Sequence, residues 1–215
     1  MSRAAPRTFE VPLRFLRVEI GTRMTVLDVG DGLLVHSPIP MEDAAVKALG
    51  PVRWLLAPNL FHHLHVGPWI ERGLQSFAPA GLEEKRKDLS FTRLVDAPME
   101  PLGPDLGFFP MKSFPPTKEV VLHHRPSRTL VTSDLVFNFT QEATWGTRLA
   151  MRMAGAYPGC RASLLERLAI KRSLAREEIG TLLALDFDRL VLAHGAVIET
   201  GGKDALRAAY RWLGL

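Results

Sequence analysis

The stretch that most constrains this chain is an apolar run, Val52 to Ala57, that leads directly into a cluster of histidines. The run is continuous except for Arg53, which is the pattern of a strand buried on both faces in a sheet covered by helices. It leads into Asn59-Leu60-Phe61-His62-His63-Leu64-His65-Val66-Gly67-Pro68-Trp69, which holds three of the seven histidines within four positions. Val66 to Gln75 is expected to be helical, with Pro68 in the first turn, where a missing N–H does little harm. The histidines therefore stand at the carboxyl end of a central strand, where open sheets bind their ligands. Packing rarely needs three imidazoles in such a place. His62 and His63 are neighbours whose side chains diverge, so only one of them is expected to face a common ion.

Two further strands end in the same manner. Arg128 to Thr132 leads to Ser133-Asp134, and Arg189 to Ala193 leads to His194-Gly195. If these ends share an edge, the histidines of the stretch (His62, His63, His65) form with Asp134 and His194 a His/Asp cluster suited to zinc, with iron or manganese as alternatives. The remaining elements are expected in this order. A partly alternating strand covers 13–20, and a hairpin covers 23–36 around Gly30-Asp31-Gly32. A helix over 42–49 ends at Gly50-Pro51. Short elements follow over 76–88 and a Pro-rich stretch over 90–104. Strands are expected at 106–111 and 119–124, and helices at 142–154, 163–170, 174–185 and 202–213. β-Rich halves interspersed with helices point to sheets packed on each other and covered outside by helices, in one domain over 1–215.

Composition excludes several classes. Hydrophobic residues are 47% and charged residues 23%, and the net charge is +4. The cations are scattered and form no basic stripe, so no nucleic-acid partner is expected. No apolar run approaches a membrane span, so no membrane partner is expected either. Residues 1–7 lack the apolar block of a secretory signal, so a cytoplasmic location is expected. The single cysteine, Cys160, allows neither an internal disulfide nor a Cys-based zinc site. Ser37 and Ser133 lack the surroundings of a nucleophilic serine. His36, His123 and His124 are further histidines at strand ends, and His36 and His124 are candidates for the same edge.

Leu130-Val131-Thr132-Ser133-Asp134-Leu135-Val136-Phe137 resembles the strand, Gly-Asp, apolar segment of the metallo-β-lactamase-like superfamily, in which this Asp bridges two metals. Leu192-Ala193-His194-Gly195 is similar to the late segment that supplies that family's last His ligand. The histidine stretch stands where the family has His-x-His-x-Asp-His, and the opening hairpin also fits. Pro58-Asn59, His62-His63, Arg125-Pro126-Ser127-Arg128-Thr129-Leu130, Asp134-Leu135 and Asn138 resemble an uncharacterised branch. The resemblance implies an α/β fold, a four-layer αβ/βα sandwich with two mixed β-sheets flanked by helices.

The sequence also departs from the family pattern. Anchored on His65-Val66-Gly67, the family's last and middle histidines fall on His65 and His62. Its first His falls on Leu60 and its Asp on Leu64. The Gly-His-Thr-Pro-Gly loop reads Ser113-Phe114-Pro115-Pro116-Thr117-Lys118, without histidine, and Asp-Thr-Gly reads His36-Ser37-Pro38. The expectation is a metal-dependent hydrolase of an unidentified small molecule. One metal is held by His62, His65, Asp134 and His194, metal-bound hydroxide is the nucleophile, and His63 or His124 orients or shuttles protons. The alternative is a non-catalytic or small-ligand-binding member of the fold with an eroded site. A redox di-iron site is a third option by fold analogy.

Overall fold

A computed structural model describes residues 4–215. Residues 1–3, part of the segment read for a leader signal, lie outside it. Two mixed sheets face each other. The first has six strands in the order β1-β4-β5-β6-β7-β8: β1 (Arg7–Val11), β4 (Thr22–Asp28), β5 (Leu33–His36), β6 (Val52–Leu56), β7 (Gln75–Pro79) and β8 (Arg93–Val95). Its first two pairings are antiparallel, and β5 through β8 run parallel. A small hairpin, β2 (Arg14–Phe15) and β3 (Val18–Glu19), lies between β1 and β4 in the chain. The second sheet has the order β14-β11-β10-β9, with β9 (Leu106–Pro110), β10 (Val120–His124), β11 (Thr129–Val131) and β14 (Arg189–Val191). Between β11 and β14 the chain forms a further pair, β12 (Phe137–Phe139) and β13 (Gly159–Arg161).

The side-chain period of two sorts each strand's residues into two cores. Leu27, Leu34, Leu56 and Phe77 of the first sheet meet Phe108, Leu122, Val131 and Val191 of the second in the central layer. The other face of the first sheet, with Met24, Val26, Val35 and Leu55, packs on α1 (Asp43–Leu49), α2 (Val66–Ile70) and α3 (Leu82–Lys85) through Leu49, Trp69 and Leu82. The other face of the second sheet, with Val121, Leu130 and Leu190, packs on α6 (Arg172–Ala184) and α7 (Gly202–Tyr210) through Ile179, Leu182, Leu206 and Tyr210. The expected four-layer arrangement is therefore present. Two further helices, α4 (Trp145–Met153) and α5 (Leu164–Ala169), lie between β12 and α6 in the chain.

Some local expectations are corrected. The strand expected over 13–20 is a tight hairpin, because Leu16 and Arg17 take positive φ and break the extended run. The strand pairing with β4 is instead β1, whose alternation is weak. The helix expected over 66–75 ends at Ile70, because the chain must turn back within a few residues to enter β7.

Candidate metal centre

Four loops meet at one edge of the molecule, and each follows the carboxyl end of a strand. They carry Ser37 after β5, His62 after β6, Ser133-Asp134 after β11 and His194 after β14. β5 and β6 run parallel, as do β11 and β14, so their ends point the same way and the loops converge. At the meeting point, His62 Nε2 lies 3.1 Å from His194 Nε2, and Asp134 Oδ1 lies 3.5 Å and 3.2 Å from them. The three donor atoms all fall within 4.8 Å of one another.

Each side chain is fixed from behind. His194 Nδ1 is 2.7 Å from Gly21 O. A carbonyl only accepts, so Nδ1 carries a proton and Nε2 faces the centre. Phe137 stacks on the same ring, with centroids 5.6 Å apart. Gly195 follows at φ 93°, and a Cβ there would stand 2.2 Å from Asn138 O, so only glycine lets the His194 loop pass. Arg23, 3% exposed, reaches across from β4 and donates to Leu192 O and to Gly195 O at 2.6 Å, with Glu10 as its carboxylate partner. His62 Nδ1 meets Ser37 Oγ at 2.8 Å. Ser37 itself holds a left-handed φ of 53°, a strain of the kind found at functional sites.

Asn59 joins the two halves. Its Oδ1 accepts from Phe61 N and His62 N at 2.8 and 2.7 Å. Its Nδ2 donates to Ser133 Oγ at 2.9 Å and Asp134 Oδ2 at 2.7 Å, which leaves Asp134 Oδ1 for the centre. Behind the Asp134 loop, the buried Glu119 carboxylate accepts from Ser133 N, Asp134 N and Leu135 N at 2.6, 2.7 and 2.8 Å. Burial and the nearby Asp134 charge push Glu119 up to about 7 against those bonds. Burial also pushes the Asp134 carboxyl up, but the His62 charge and hydrogen bonds from His194 and His62 outweigh it and hold the group well below the usual carboxylate range.

This donor set fits a divalent cation. Two imidazole Nε2 atoms and a carboxylate oxygen are the ligand types of zinc and its neighbours, and a hydrogen-bonded Nδ1 on each ring is the usual support for a metal-ligating histidine. Two Nε2 atoms only 3.1 Å apart are accounted for by a shared proton or by a cation between them.

The sequence candidates divide. His62, Asp134 and His194 come together. His65 does not join them: it occupies the N-cap position of α2, and the turn that aims His62 inward carries His65 out of reach. His63 points away from the centre, and its Nδ1 accepts from Arg86 at 3.2 Å. Burial and the charges of Lys85 and Arg86 lower its pKa. His124 is held between Ser127 Oγ at 2.6 Å and Asp28 O at 2.9 Å, and His123 bonds Asp186 O at 2.8 Å, so neither serves this edge. His36 is 1% exposed on the inner face of β5, with both ring nitrogens unpartnered. Burial and the nearby His62 charge lower it to about 3. Cys160 is equally remote from chemistry, its thiol pushed up to about 12 by burial. Sequence reasoning gave no role to Asn59, Glu119, Arg23 or Ser37. Asn59 was signalled by the Pro58-Asn59 pair of the branch resemblance, and Glu119 only as a polar residue flanking an apolar run.

No protein-family model and no curated protein matches the chain. Solved structures do. The metallo-β-lactamase from Pontibacter korlensis aligns with TM-score 0.66 and 11% identity over 100% of this chain and 96% of that one. The metallo-β-lactamase FIM-1 from Pseudomonas aeruginosa, in its mono-zinc form, aligns at 0.62 and 10% over 97% and 90%. The Flv1 flavodiiron core from Synechocystis aligns at 0.63 and 15%, over 97% of this chain and 59% of that one. This is the metallo-β-lactamase fold. Within that fold the converging loops of the two sheets meet at the edge where His62, Asp134 and His194 lie.

Proposed function

We propose that the protein is a metal-dependent hydrolase whose single ion is held by His62 Nε2, His194 Nε2 and Asp134 Oδ1. The observation that carries this reading is the convergence of those three donors, each with its outer atom already hydrogen-bonded. A divalent ion held there would supply Lewis-acid chemistry and lower the pKa of a water. The chain's own groups do the rest. Ser37 and Gly21 O hold the two rings in orientation, and the Gly21 carbonyl also keeps the proton of His194 on Nδ1. Asn59 pins Asp134 Oδ2, so that the carboxylate offers one oxygen. The three donors are no more than 14% exposed, which keeps most water away and strengthens charge interactions inside. The three-donor set favours one ion over two, and zinc over iron or manganese is the expectation from two imidazoles and one carboxylate.

The test is metal analysis of untagged protein. About one equivalent of zinc is expected, and its loss in His194→Ala. Absence of any stoichiometric metal, with none taken up on titration, would remove the reading. The second reading, a binding member of the fold, draws on the residues at positions where the resembled family has ligands. Leu60 and Leu64 flank His62, and Pro115 replaces a histidine. One bound equivalent without turnover of lactam, thioester or phosphodiester substrates would favour it.

A further inference from the structure

The segment 143–172 is turned inside out. On α4 the inward residue is Thr147, whose Oγ1 donates to Glu19 O at 2.6 Å. The outward face carries Trp145, Leu149 and Met153, one turn apart and 73, 45 and 71% exposed. On α5 the inward residue is Glu166, which accepts from Tyr210 Oη, while Leu164, Leu165 and Leu168 are 47, 67 and 78% exposed. The two helices abut, with Leu164 N donating to Ala154 O at 2.7 Å. Six of the ten exposed large hydrophobics among the described residues thus fall between 145 and 168. An amphipathic helix normally buries its apolar stripe, and one that shows it outward marks a contact surface.

The charge of the same segment narrows what makes that contact. Residues 143–172 hold Arg148, Arg152, Arg161, Arg167, Lys171 and Arg172, and their one acid is the inward Glu166. That exceeds the +4 of the whole chain. Among the described residues none of these six cations forms a salt bridge. Arg148 and Arg161 donate to backbone carbonyls, and Arg152 lies over the Tyr157 ring. The partner is therefore negative and apolar. A second copy of this chain fits poorly, because a two-fold interface sets these arginines against their own equivalents. Side chains that stand 67–78% exposed project from the surface and suit a deformable apolar phase. Trp145, Tyr157 and interleaved arginines are the composition of a helix lying in a membrane interface. A hollow of about 230 Å³ among Trp145, Arg148, Leu149, Arg152 and Tyr157 offers two guanidinium groups to a lipid phosphate.

We propose that the α4–α5 face docks on an anionic membrane surface. Trp145, Leu149, Met153, Leu165 and Leu168 enter the headgroup layer, and Arg148, Arg152 and Arg161 meet lipid phosphates. No helix among the described residues is long and apolar enough to cross a membrane, so the contact is peripheral. It takes the place of the expectation that no membrane is a partner, and it stands apart from the metal reading.

The experiment is co-sedimentation of the full chain with vesicles of phosphatidylcholine alone and of phosphatidylcholine mixed with phosphatidylglycerol. Binding is expected only to the mixed vesicles, and it weakens as salt rises. The double variant Arg148→Gln/Arg152→Gln should lower partition by about 30-fold. Leu165→Ser/Leu168→Ser should lower it with the charge kept, and circular dichroism should report both variants folded as the parent. Absence of binding, equal binding to both vesicles, or parental binding by both variants overturns the proposal. A concentration-dependent dimer that Leu165→Ser/Leu168→Ser dissolves overturns it in favour of a second copy.

Discussion

His36 and Glu166 are buried titratable groups whose protonation the fold dictates in opposite senses. His36 falls to about 3 by burial, helped by the His62 charge, so the folded chain keeps it neutral while the unfolded chain protonates it at about 6.5. Its effect is absent above the unfolded value. Below it, stability falls by roughly 1.4 kcal/mol per pH unit until the folded value is reached. His36→Leu removes both unpartnered nitrogens, and its denaturant midpoint should change less than the parent's between pH 7 and pH 5. Equal changes in the two proteins would mean that His36 does not set the acid limb. Glu166 runs the other way. Burial, with the nearby Glu119 and Asp134 charges, raises it well above 4.5 and outweighs the bond from Tyr210. The stability it contributes is present below 4.5 and is lost as pH rises above that value. Glu166→Gln keeps an acceptor for Tyr210 and should flatten the alkaline limb, as thermal melts across pH 5 to 8 would register.

At the scale of elements, the Asp134 loop is held by parts of the chain distant in sequence. Glu119, at the foot of β10, takes three consecutive backbone N–H groups of that loop. Tyr210 Oη of α7 lies 2.9 Å from Leu135 O and also meets Glu166 of α5, so its one hydroxyl hydrogen is shared between them. A carboxylate behind three donors behaves as a built anion site for the turn, so its removal orphans all three. Glu119→Ala should cost about 3 kcal/mol or more in urea unfolding. Glu119→Gln keeps the size but sets an NH2 against an N–H, and should weaken zinc affinity by about 10–100-fold in competition with a chelator. Unchanged affinity in a folded Glu119→Gln protein would sever this loop from the centre.

At the scale of the molecule, the candidate centre joins the two sheets. His62 comes from the first sheet's β6 loop, while Asp134 and His194 come from the second. A bound ion therefore adds a tie between halves that are otherwise joined there by Asn59 and Arg23. Binding to the folded state alone stabilises by about 2.7 kcal/mol at one hundred times the dissociation constant. Chelator should lower the thermal midpoint of the parent and leave His194→Ala unmoved. A parent midpoint indifferent to chelator would show that no tie of this kind forms.

Much of this was legible along the chain. The apolar run Val52–Ala57, the strand ends at Asp134 and His194, and helices α6 and α7 follow from period, turn residues and burial, which are local properties of sequence. His62 was legible too, because it follows a buried strand. What only the tertiary structure decided was direction and company. His62, His63 and His65 carry the same chemistry at nearly the same place, and the turn between β6 and α2 aims one at the centre and the others elsewhere. Asn59, Glu119 and Arg23 meet their partners across 74, 14 and 169 positions of sequence, separations that no local pattern encodes. α4 and α5 read from sequence only as helices over 142–154 and 163–170, since the chain alone does not tell which face turns inward. The polar anchors Thr147 and Glu166 turned that stripe outward, because each satisfies its hydrogen bonds only on the inside of the fold.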